Sequence, residues 1–310
     1  METYVAELSG LKRGRTRARL AAAATAAALL ITGMGAGSAS AADPAPSARS
    51  AAGPAAEAGN TFGTQAAPTP YNYLYGVNST GILYGYEPNG TGLGSREYSG
   101  ENWGPVKHAT QVDHDADGLS DGIWAIEGNG VFSYLEWGGT PVSAGTGWGI
   151  YNKMVSPGDL GGAGADDLIA RDSAGALWIY LGYGNGKVTG RTKVGNGWQA
   201  YNQITGKGDL TGDGRADIVA RDGSGTLWLY KGTGSRTAPF SARTKIGTGW
   251  NIFNNLTSVG DIDLDDKTDM IARHTDGSLW LYKGTGSASS PFKAKVKIGS
   301  SGWNTYRLMF

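Results

Sequence analysis

Residues 208–234 read GDLTGDGRADIVARDGSGTLWLYKGTG, and residues 260–286 repeat the pattern as GDIDLDDKTDMIARHTDGSLWLYKGTG. A third copy, GDLGGAGADDLIARDSAGALWIYLGYG, occupies residues 158–184, and a fourth, VDHDADGLSDGIWAIEGNGVFSYLEW, begins at Val112. The copies recur at intervals of about 50 residues, which is typical of propellers and other repeat arrays. The chain is therefore built from one repeated structural unit.

Every copy has the same order of features. In the copy quoted first, an acidic loop precedes a short apolar run (217–221), a glycine turn (223–225) and an aromatic run (227–230). A basic and apolar alternation (243–246) and a Gly-Trp pair (249–250) complete the unit. Short runs of branched and aromatic residues separated by turn residues predict β-strands. Four such strands per unit predict one blade of a propeller.

The first and last units complement each other. The first unit lacks a leading strand, whereas residues 302–310, GWNTYRLMF, form a leading strand that no blade follows. We therefore predict that the C-terminal strand completes the first blade and hides two sheet edges. The expected fold is an all-β propeller of about five four-stranded blades over residues 71–310, built from units at about 71–110, 111–156, 157–206, 207–258 and 259–310.

The N-terminal segment has the features of a secretory signal. Basic residues from Lys12 to Arg19 precede an apolar run (20–34) and small residues up to Ala42. This pattern predicts that residues 1–42 are a cleaved signal peptide, because a membrane anchor needs about 20 apolar residues. Residues 43–70 are rich in Ala, Pro, Gly and Ser, which predicts a disordered linker. We expect a secreted protein that does not insert into a membrane after cleavage.

Charge and cysteine content restrict the function further. Without residues 1–42 the chain carries 22 basic and 25 acidic residues, and this slight acidity argues against a nucleic-acid partner. The chain has no cysteine, so stability outside the cell must come from packing or metal ions rather than disulfides. We expect a monomer.

The acidic loops have the composition of calcium sites. We name them loop 2 (113–121), loop 3 (159–167), loop 4 (209–217) and loop 5 (261–269). Ca²⁺ takes six to eight oxygen ligands, and alternate side chains of a tight loop can supply several of them. The predicted ligands occupy the first, third, fifth and ninth positions of three loops: Asp113, Asp115, Asp117, Asp121, Asp209, Thr211, Asp213, Asp217, Asp261, Asp263, Asp265 and Asp269.

The sixth position of each loop needs a residue that permits a tight turn. Gly118 and Gly214 occupy it in two loops, and Asp266 replaces glycine in loop 5, where aspartate tolerates left-handed backbone better than most residues. In loop 3 the third and fifth positions are Gly161 and Ala163, so we expect that loop to be empty or very weak. The alternative is that all four loops are solvated turns. Zinc fits less well, because the ligands are oxygens.

Aromatic residues recur beside the repeated glycines. A saccharide ring can stack on such an aromatic face while a nearby amide bonds its hydroxyls, although packing between blades explains the same recurrence. Arg171, Arg221 and Arg273 recur as well, either as an anion-binding rim or as partners of acids such as Asp172 and Asp222. The candidate ligand residues are Trp148, Asn152, Trp198, Asn202, Trp250, Asn254 and Trp303.

Sequence features of catalysis are missing. The chain has no cysteine, three histidines and no G-x-S-x-G segment, Walker loop or dinucleotide fingerprint. A glycosidase needs only two carboxylates, but every prominent acid belongs to a repeated loop, whereas active sites are normally singular. We therefore predict a protein that is not an enzyme.

The repeated motifs resemble two known families. The GD-L-x-G-D-G-x-x-D and LWLYKGTG segments resemble the VCBS/FG-GAP repeats of secreted actinobacterial proteins. The G-W-x-x-[YF] and LYGV segments resemble tachylectin-type five-bladed lectins. The first resemblance implies a calcium-stabilised extracellular propeller, and the second implies sugar recognition between blades.

Two functions follow as hypotheses. The first is a secreted, calcium-binding, non-catalytic carbohydrate-binding module, whose five similar clefts would give avidity for an extracellular glycan. The alternative is a protein-interaction or adhesion scaffold for a cell-surface protein, in which calcium has a structural role.

Overall fold

The computed structural model describes residues 68–310, which form five four-stranded antiparallel sheets. Each sheet is one blade. Blade 1 contains β1 (Leu74–Asn78), β2 (Leu83–Tyr86), β3 (Glu97–Gly100) and the C-terminal strand β20 (Tyr306–Met309); blade 2 contains β4 (Val106–Val112), β5 (Gly122–Glu127), β6 (Phe132–Glu136) and β7 (Val142–Gly145).

The remaining three blades repeat this plan. Blade 3 contains β8 (Tyr151–Gly158), β9 (Asp167–Asp172), β10 (Leu177–Tyr180) and β11 (Thr192–Gly195). Blade 4 contains β12 (Tyr201–Thr205), β13 (Ile218–Asp222), β14 (Leu227–Tyr230) and β15 (Thr244–Gly247). Blade 5 contains β16 (Phe253–Gly260), β17 (Asp269–His274), β18 (Leu279–Tyr282) and β19 (Val296–Gly299). The prediction of an all-β propeller with five four-stranded blades is confirmed.

The C-terminal strand closes the ring. β20 pairs with β1 in the registers Gly76↔Met309 and Val77↔Leu308. Beyond the strand, the Phe310 N–H donates to the Tyr75 carbonyl at 3.1 Å and the Tyr75 N–H donates to the Phe310 carbonyl at 2.8 Å. The predicted pairing of the last strand with the first blade is therefore confirmed.

Each blade takes its innermost strand from the end of one sequence repeat and its other strands from the next repeat. The innermost strand of blade 5, β16, follows the Gly-Trp pair that ends one unit, and its other three strands come from the next unit. One sequence repeat therefore spans a blade boundary. This offset ties each blade covalently and by packing to its neighbour.

Tight turns join the middle strands of the blades. In blade 4, Asp222 accepts hydrogen bonds from the backbone amides of Ser224 and Thr226 at 3.0 Å each. Gly225 has φ 83°, a left-handed conformation that favours glycine. These two residue choices fix the register in which Leu227 pairs with Arg221.

The hydrophobic core is divided among the blade interfaces. Five apolar clusters lie among the described residues, each formed by side chains of two neighbouring blades. The cluster between blades 4 and 5 contains Val219 and Leu229 from one blade and Phe253 and Met270 from the next. A blade alone would leave such faces exposed to water.

Two sequence predictions fall outside the described region. The signal peptide (1–42) and the linker (43–70) up to residue 67 are not among residues 68–310. Within residues 68–310, no helix has the length and apolarity needed to cross a membrane.

Closure of the ring predicts a large effect at its last residue. Phe310 is 7% exposed and packs against Tyr75 and Trp103. We expect Phe310→Ala to lower the free energy of unfolding by about 3 kcal/mol, because it leaves a cavity at the closing contact. Phe310→Leu should lose less than half of that. Urea unfolding measures both, and equal stability of Phe310→Ala and wild type would contradict the closure.

Candidate metal loops and inter-blade clefts

The acidic loops connect the innermost strand of a blade to the next strand. In loop 4 the first aspartate, Asp209, accepts the amides of Thr211, Gly212 and Gly214. The last aspartate, Asp217, accepts the Leu210 amide at 3.0 Å and the Gly232 amide at 2.8 Å. These two carboxylates therefore hold the loop backbone together.

Loop 3 provides an internal comparison. Asp159 accepts the amides of Gly161 and Gly164 at 3.1 and 2.8 Å, and Asp167 accepts those of Leu160 and Gly182 at 3.0 Å each. The pattern is that of loop 4, although loop 3 lacks side-chain oxygens at its third and fifth positions. The loop conformation therefore does not require those oxygens.

Left-handed backbone recurs at the sixth position. Gly118, Gly164 and Gly214 have φ of 84°, 96° and 81°, and Asp266 has φ 62°. The expectation that Asp266 adopts the conformation of the glycine that it replaces is correct.

Carboxylates converge in three loops. One oxygen from each of three aspartates lies within 4.8 Å of the others in loops 2, 4 and 5 among the described residues. Nine of the twelve predicted ligands belong to these clusters: Asp113, Asp115, Asp121, Asp209, Asp213, Asp217, Asp261, Asp263 and Asp265. Asp117 and Asp269 lie outside these carboxylate clusters, Thr211 carries a hydroxyl rather than a carboxylate, and loop 3 forms no such cluster among the described residues.

Burial favours the protonated form of several of these acids. It raises the pKa of Asp217 and Asp269 to about 7 and that of Asp113 to about 6. Nearby acids act in the same direction, and backbone hydrogen bonds oppose them. A divalent cation would restore the ionised form of these carboxyls. The donor set of hard oxygens fits calcium.

Loop 5 differs from the others because lysines surround it. The ammonium group of Lys283 lies 2.9 Å from Asp263 Oδ2, and Lys267 and Lys293 lie 3.3 and 3.2 Å from Asp265 Oδ2. The Oδ1 atoms of Asp263 and Asp265 are buried without a hydrogen-bond partner in the described chain. A metal ion in loop 5 must therefore compete with three lysine ammonium groups for the carboxylates of Asp263 and Asp265. Sequence reasoning missed these lysines because two of them lie outside the loop.

The Gly-Trp tryptophans pack between blades. Trp148, Trp198 and Trp250 are 7–9% exposed, and Trp303 is half-buried. The Trp148 ring stacks on Phe132 at 3.9 Å and on Tyr180 of the next blade at 4.6 Å between centroids. These contacts favour packing between blades over sugar binding for this tryptophan, because the rings of Phe132 and Tyr180 already stack on its indole.

The candidate asparagines have different environments. Asn152 and Asn254 accept the Nε–H of Arg171 and Arg273 at 2.8 and 2.6 Å. Asn202 is exposed and accepts no such bond from Arg221. The amides of Asn152 and Asn254 therefore orient arginines.

The recurring arginines bind backbone carbonyls of the following blade. The Nη1 atom of Arg221 donates to the carbonyls of Trp250, at 3.1 Å, and Phe253. Arg171 and Arg273 make the same two contacts with the next Gly-Trp turn. Asp172 and Asp222 instead accept the indole N–H of Trp178 and Trp228. These arginines therefore join neighbouring blades.

A second aromatic position forms a repeated cleft. Trp178 on β10 is half-buried, and the Arg191 guanidinium lies 4.0 Å above its ring. Arg191 also donates to the Tyr151 hydroxyl at 3.0 Å, and that hydroxyl bonds Tyr180. Arg191 is exposed, and its other guanidinium donors have no partner within residues 68–310.

Three further blades carry variants of this cleft. In blade 4, Arg243 lies 4.0 Å above Trp228, beside the Tyr201–Tyr230 hydroxyl pair. Lys295 lies 4.6 Å above Trp280 in blade 5, and Arg96 lies 4.5 Å above Tyr84 in blade 1. Blade 2 has Ser133 at this position, so four clefts are present rather than the expected five. The recurring basic residue after each aromatic run was the available sequence signal.

The chain is similar to known proteins in one segment and in its fold. Residues 209–272 match the FG-GAP-like repeat family. No curated protein matches the sequence. The structure is similar to BP39L lectin from Burkholderia pseudomallei, with a TM-score of 0.46, 12% identity, and coverage of 76% of this chain and 71% of the lectin.

Two other solved structures have comparable similarity. AofleA from Arthrobotrys oligospora has a TM-score of 0.46 and 12% identity, with 76% of this chain and 73% of that chain covered. The calcium-binding protein regucalcin from Agrobacterium tumefaciens has a TM-score of 0.40 and 11% identity, with 74% of each chain covered. The FG-GAP-like repeat is thus the family that residues 209–272 resemble.

The loops predict unequal calcium effects. At calcium ten times its dissociation constant, one site adds about 1.4 kcal/mol of stability, or roughly 3 °C in Tm. We expect Asp213→Asn to remove the contribution of loop 4, whereas Asp265→Asn should change the calcium response little, because lysines already neutralise that carboxylate. Thermal unfolding with EGTA or calcium measures this. An undiminished response in Asp213→Asn would contradict the assignment.

Proposed function

We propose that this chain is a secreted, non-catalytic binding protein, a calcium-stabilised propeller that binds saccharides in the repeated clefts formed by the third and fourth strands of its blades. The observation that carries the proposal is the repetition of one exposed cation above a half-buried aromatic ring in four of the five blades. Packing alone does not require an exposed cation above the ring at each of these places.

The chemistry of the clefts suits hydroxyl-rich ligands. Arg191 and Arg243 can donate hydrogen bonds to ring hydroxyls, and the adjacent indoles and phenols offer apolar edges to a sugar ring. The carboxylates of Asp172 and Asp222, which hold the indole N–H groups, fix the orientation of the rings. Shallow clefts of this kind bind weakly one by one, and repetition around the ring would raise the avidity.

Calcium would act away from the clefts. Each loop joins the first and second strands of a blade, whereas each cleft is formed by the third and fourth strands. An ion in loop 2 or loop 4 would therefore stiffen the strand connection rather than contact the sugar.

The scaffold alternative requires a broad apolar surface. The most exposed large apolar side chains include Val142, Ile150, Ile252 and Val296, and they are spread over three repeats. Residues scattered singly in this way are ordinary on protein surfaces. The repeated polar clefts therefore favour a glycan over a protein partner.

Catalysis has no evident singular centre within residues 68–310. The acids with raised pKa values, such as Asp167 and Asp217, recur at the same loop position and bind backbone amides. This repetition supports a binding function rather than an enzyme.

An array of immobilised glycans and soluble polysaccharides tests the proposal. We expect wild type to bind at least one glycan, and Arg191→Ala with Arg243→Ala to weaken that binding at least tenfold, because two of four clefts lose their cation. Lys187→Ala, which removes an exposed charge outside the clefts, is the matched control. Wild-type binding that survives the double substitution unchanged would contradict the site, and binding of no glycan would contradict the function.

A further inference from the structure

The five innermost strands surround a central channel. Its cavity has a volume of about 130 Å³ and is lined by residues of β4, β8, β12 and β16 and by the end of the chain at 308–310. That is room for a few water molecules or one small ion with its ligands.

One end of the channel carries a ring of equivalent side chains. His108, Lys153, Gln203, Asn255 and Leu308 occupy the same position on their strands and all line the cavity. Lys153 pairs in register with Arg171, and Gln203 pairs with Arg221. Directly paired residues of an antiparallel sheet share a face, so cationic groups gather around Lys153.

Lys153 has no counterion in the described chain. No residue within 68–310 forms a hydrogen bond or ion pair with its ammonium group. The contrast is Lys207 at the other end of the channel, whose ammonium lies 2.5 Å from Asp166 Oδ2 and 3.2 Å from the Gln111 carbonyl. The second channel lysine is thus neutralised, and the first is not.

A buried donor beside Lys153 is also unsatisfied. Arg221 is 7% exposed, and its Nε–H has no hydrogen-bond partner in the described chain. The equivalent Nε–H groups of Arg171 and Arg273 donate to Asn152 and Asn254. Arg221 is not among the residues that line the cavity, so it acts on Lys153 through its charge rather than through a contact with a bound ligand.

The charged groups around Lys153 favour the binding of a negatively charged ligand. Burial and the charges of Arg171 and Arg221 lower the pKa of Lys153. His108 is neutral, since burial and Lys153 lower its pKa to about 4. Burial lowers the pKa of Arg221, and the charge of Asp222 opposes that shift. The Asp222 carboxylate already accepts hydrogen bonds from the Trp228 indole and from the backbone amides of Ser224 and Thr226. None of the residues whose charges shift the pKa of Lys153 is an acid.

We propose that the Lys153 end of the central channel binds a small oxyanion, a carboxylate or a phosphate. The oxyanion would neutralise Lys153 and accept a hydrogen bond from its ammonium group and one from the second N–H of the Gln203 side-chain amide, whose Nε2 already donates to the Asn254 carbonyl at 3.1 Å; the charges of Arg171 and Arg221 would add attraction. This site lies on the channel, apart from the inter-blade clefts and the acidic loops, and it does not depend on either.

Isothermal titration of the full chain with sodium phosphate, and separately with sodium acetate, tests the site at ionic strength matched with sodium chloride. We expect saturable binding of at least one anion at one site per chain, and the tighter of the two identifies the chemistry. Lys153→Gln should weaken binding at least tenfold. The control variant Lys187→Gln, which removes an exposed charge elsewhere, should leave anion binding unchanged.

The substitution is designed to preserve the fold, because Gln203 occupies the equivalent position in the next blade. Without added anion, Lys153→Gln should melt at or above the wild-type temperature, since it removes repulsion between cations. Should it fail to fold, Lys153→Met and Arg221→Lys replace it in the same titration. Absence of saturable binding of either anion to wild type would overturn the proposal, as would equal weakening by Lys153→Gln and Lys187→Gln.

Discussion

Burial of each blade against its neighbours is the constraint on which the structure depends. The five apolar clusters of the described residues lie at blade interfaces, so a blade cannot bury its faces alone. The ring must therefore close, and β20 closes it by pairing with β1. A Cβ atom at Gly76 would lie only 2.8 Å from the Tyr306 ring, which shows how closely the last strand fits.

The first and ninth aspartates of loop 4 hold the backbone and also belong to its carboxylate cluster, whereas the third and fifth positions are not needed for the loop conformation. The first and ninth aspartates bind backbone amides in loop 3 as they do in loop 4. The third and fifth positions carry oxygen ligands only in loops 2, 4 and 5. Substitution of the third and fifth positions should therefore leave the loop backbone intact, as loop 3 shows with Gly161 and Ala163 at these positions.

The fold could be predicted from the sequence because it depends on repetition and on local turn residues. The repeats and the unpaired strand at 302–310 predict the blade number and the closure. The site was harder to predict because it depends on side-chain contacts between strands, some of them within one repeat and some across a blade boundary. Lys283 reaches Asp263, and Arg191 covers Trp178, only after strands that are separate in sequence become neighbours. The packing of Trp148 against Tyr180 likewise crosses a blade boundary.

Calcium should bind only where the third and fifth loop positions carry side-chain oxygens. A crystal structure of the calcium-loaded protein, with anomalous scattering to identify the ion, tests this. We expect an ion in loops 2 and 4, weaker or no occupancy in loop 5, and none in loop 3. An ion in loop 3, or an empty loop 4 at saturating calcium, would contradict this expectation.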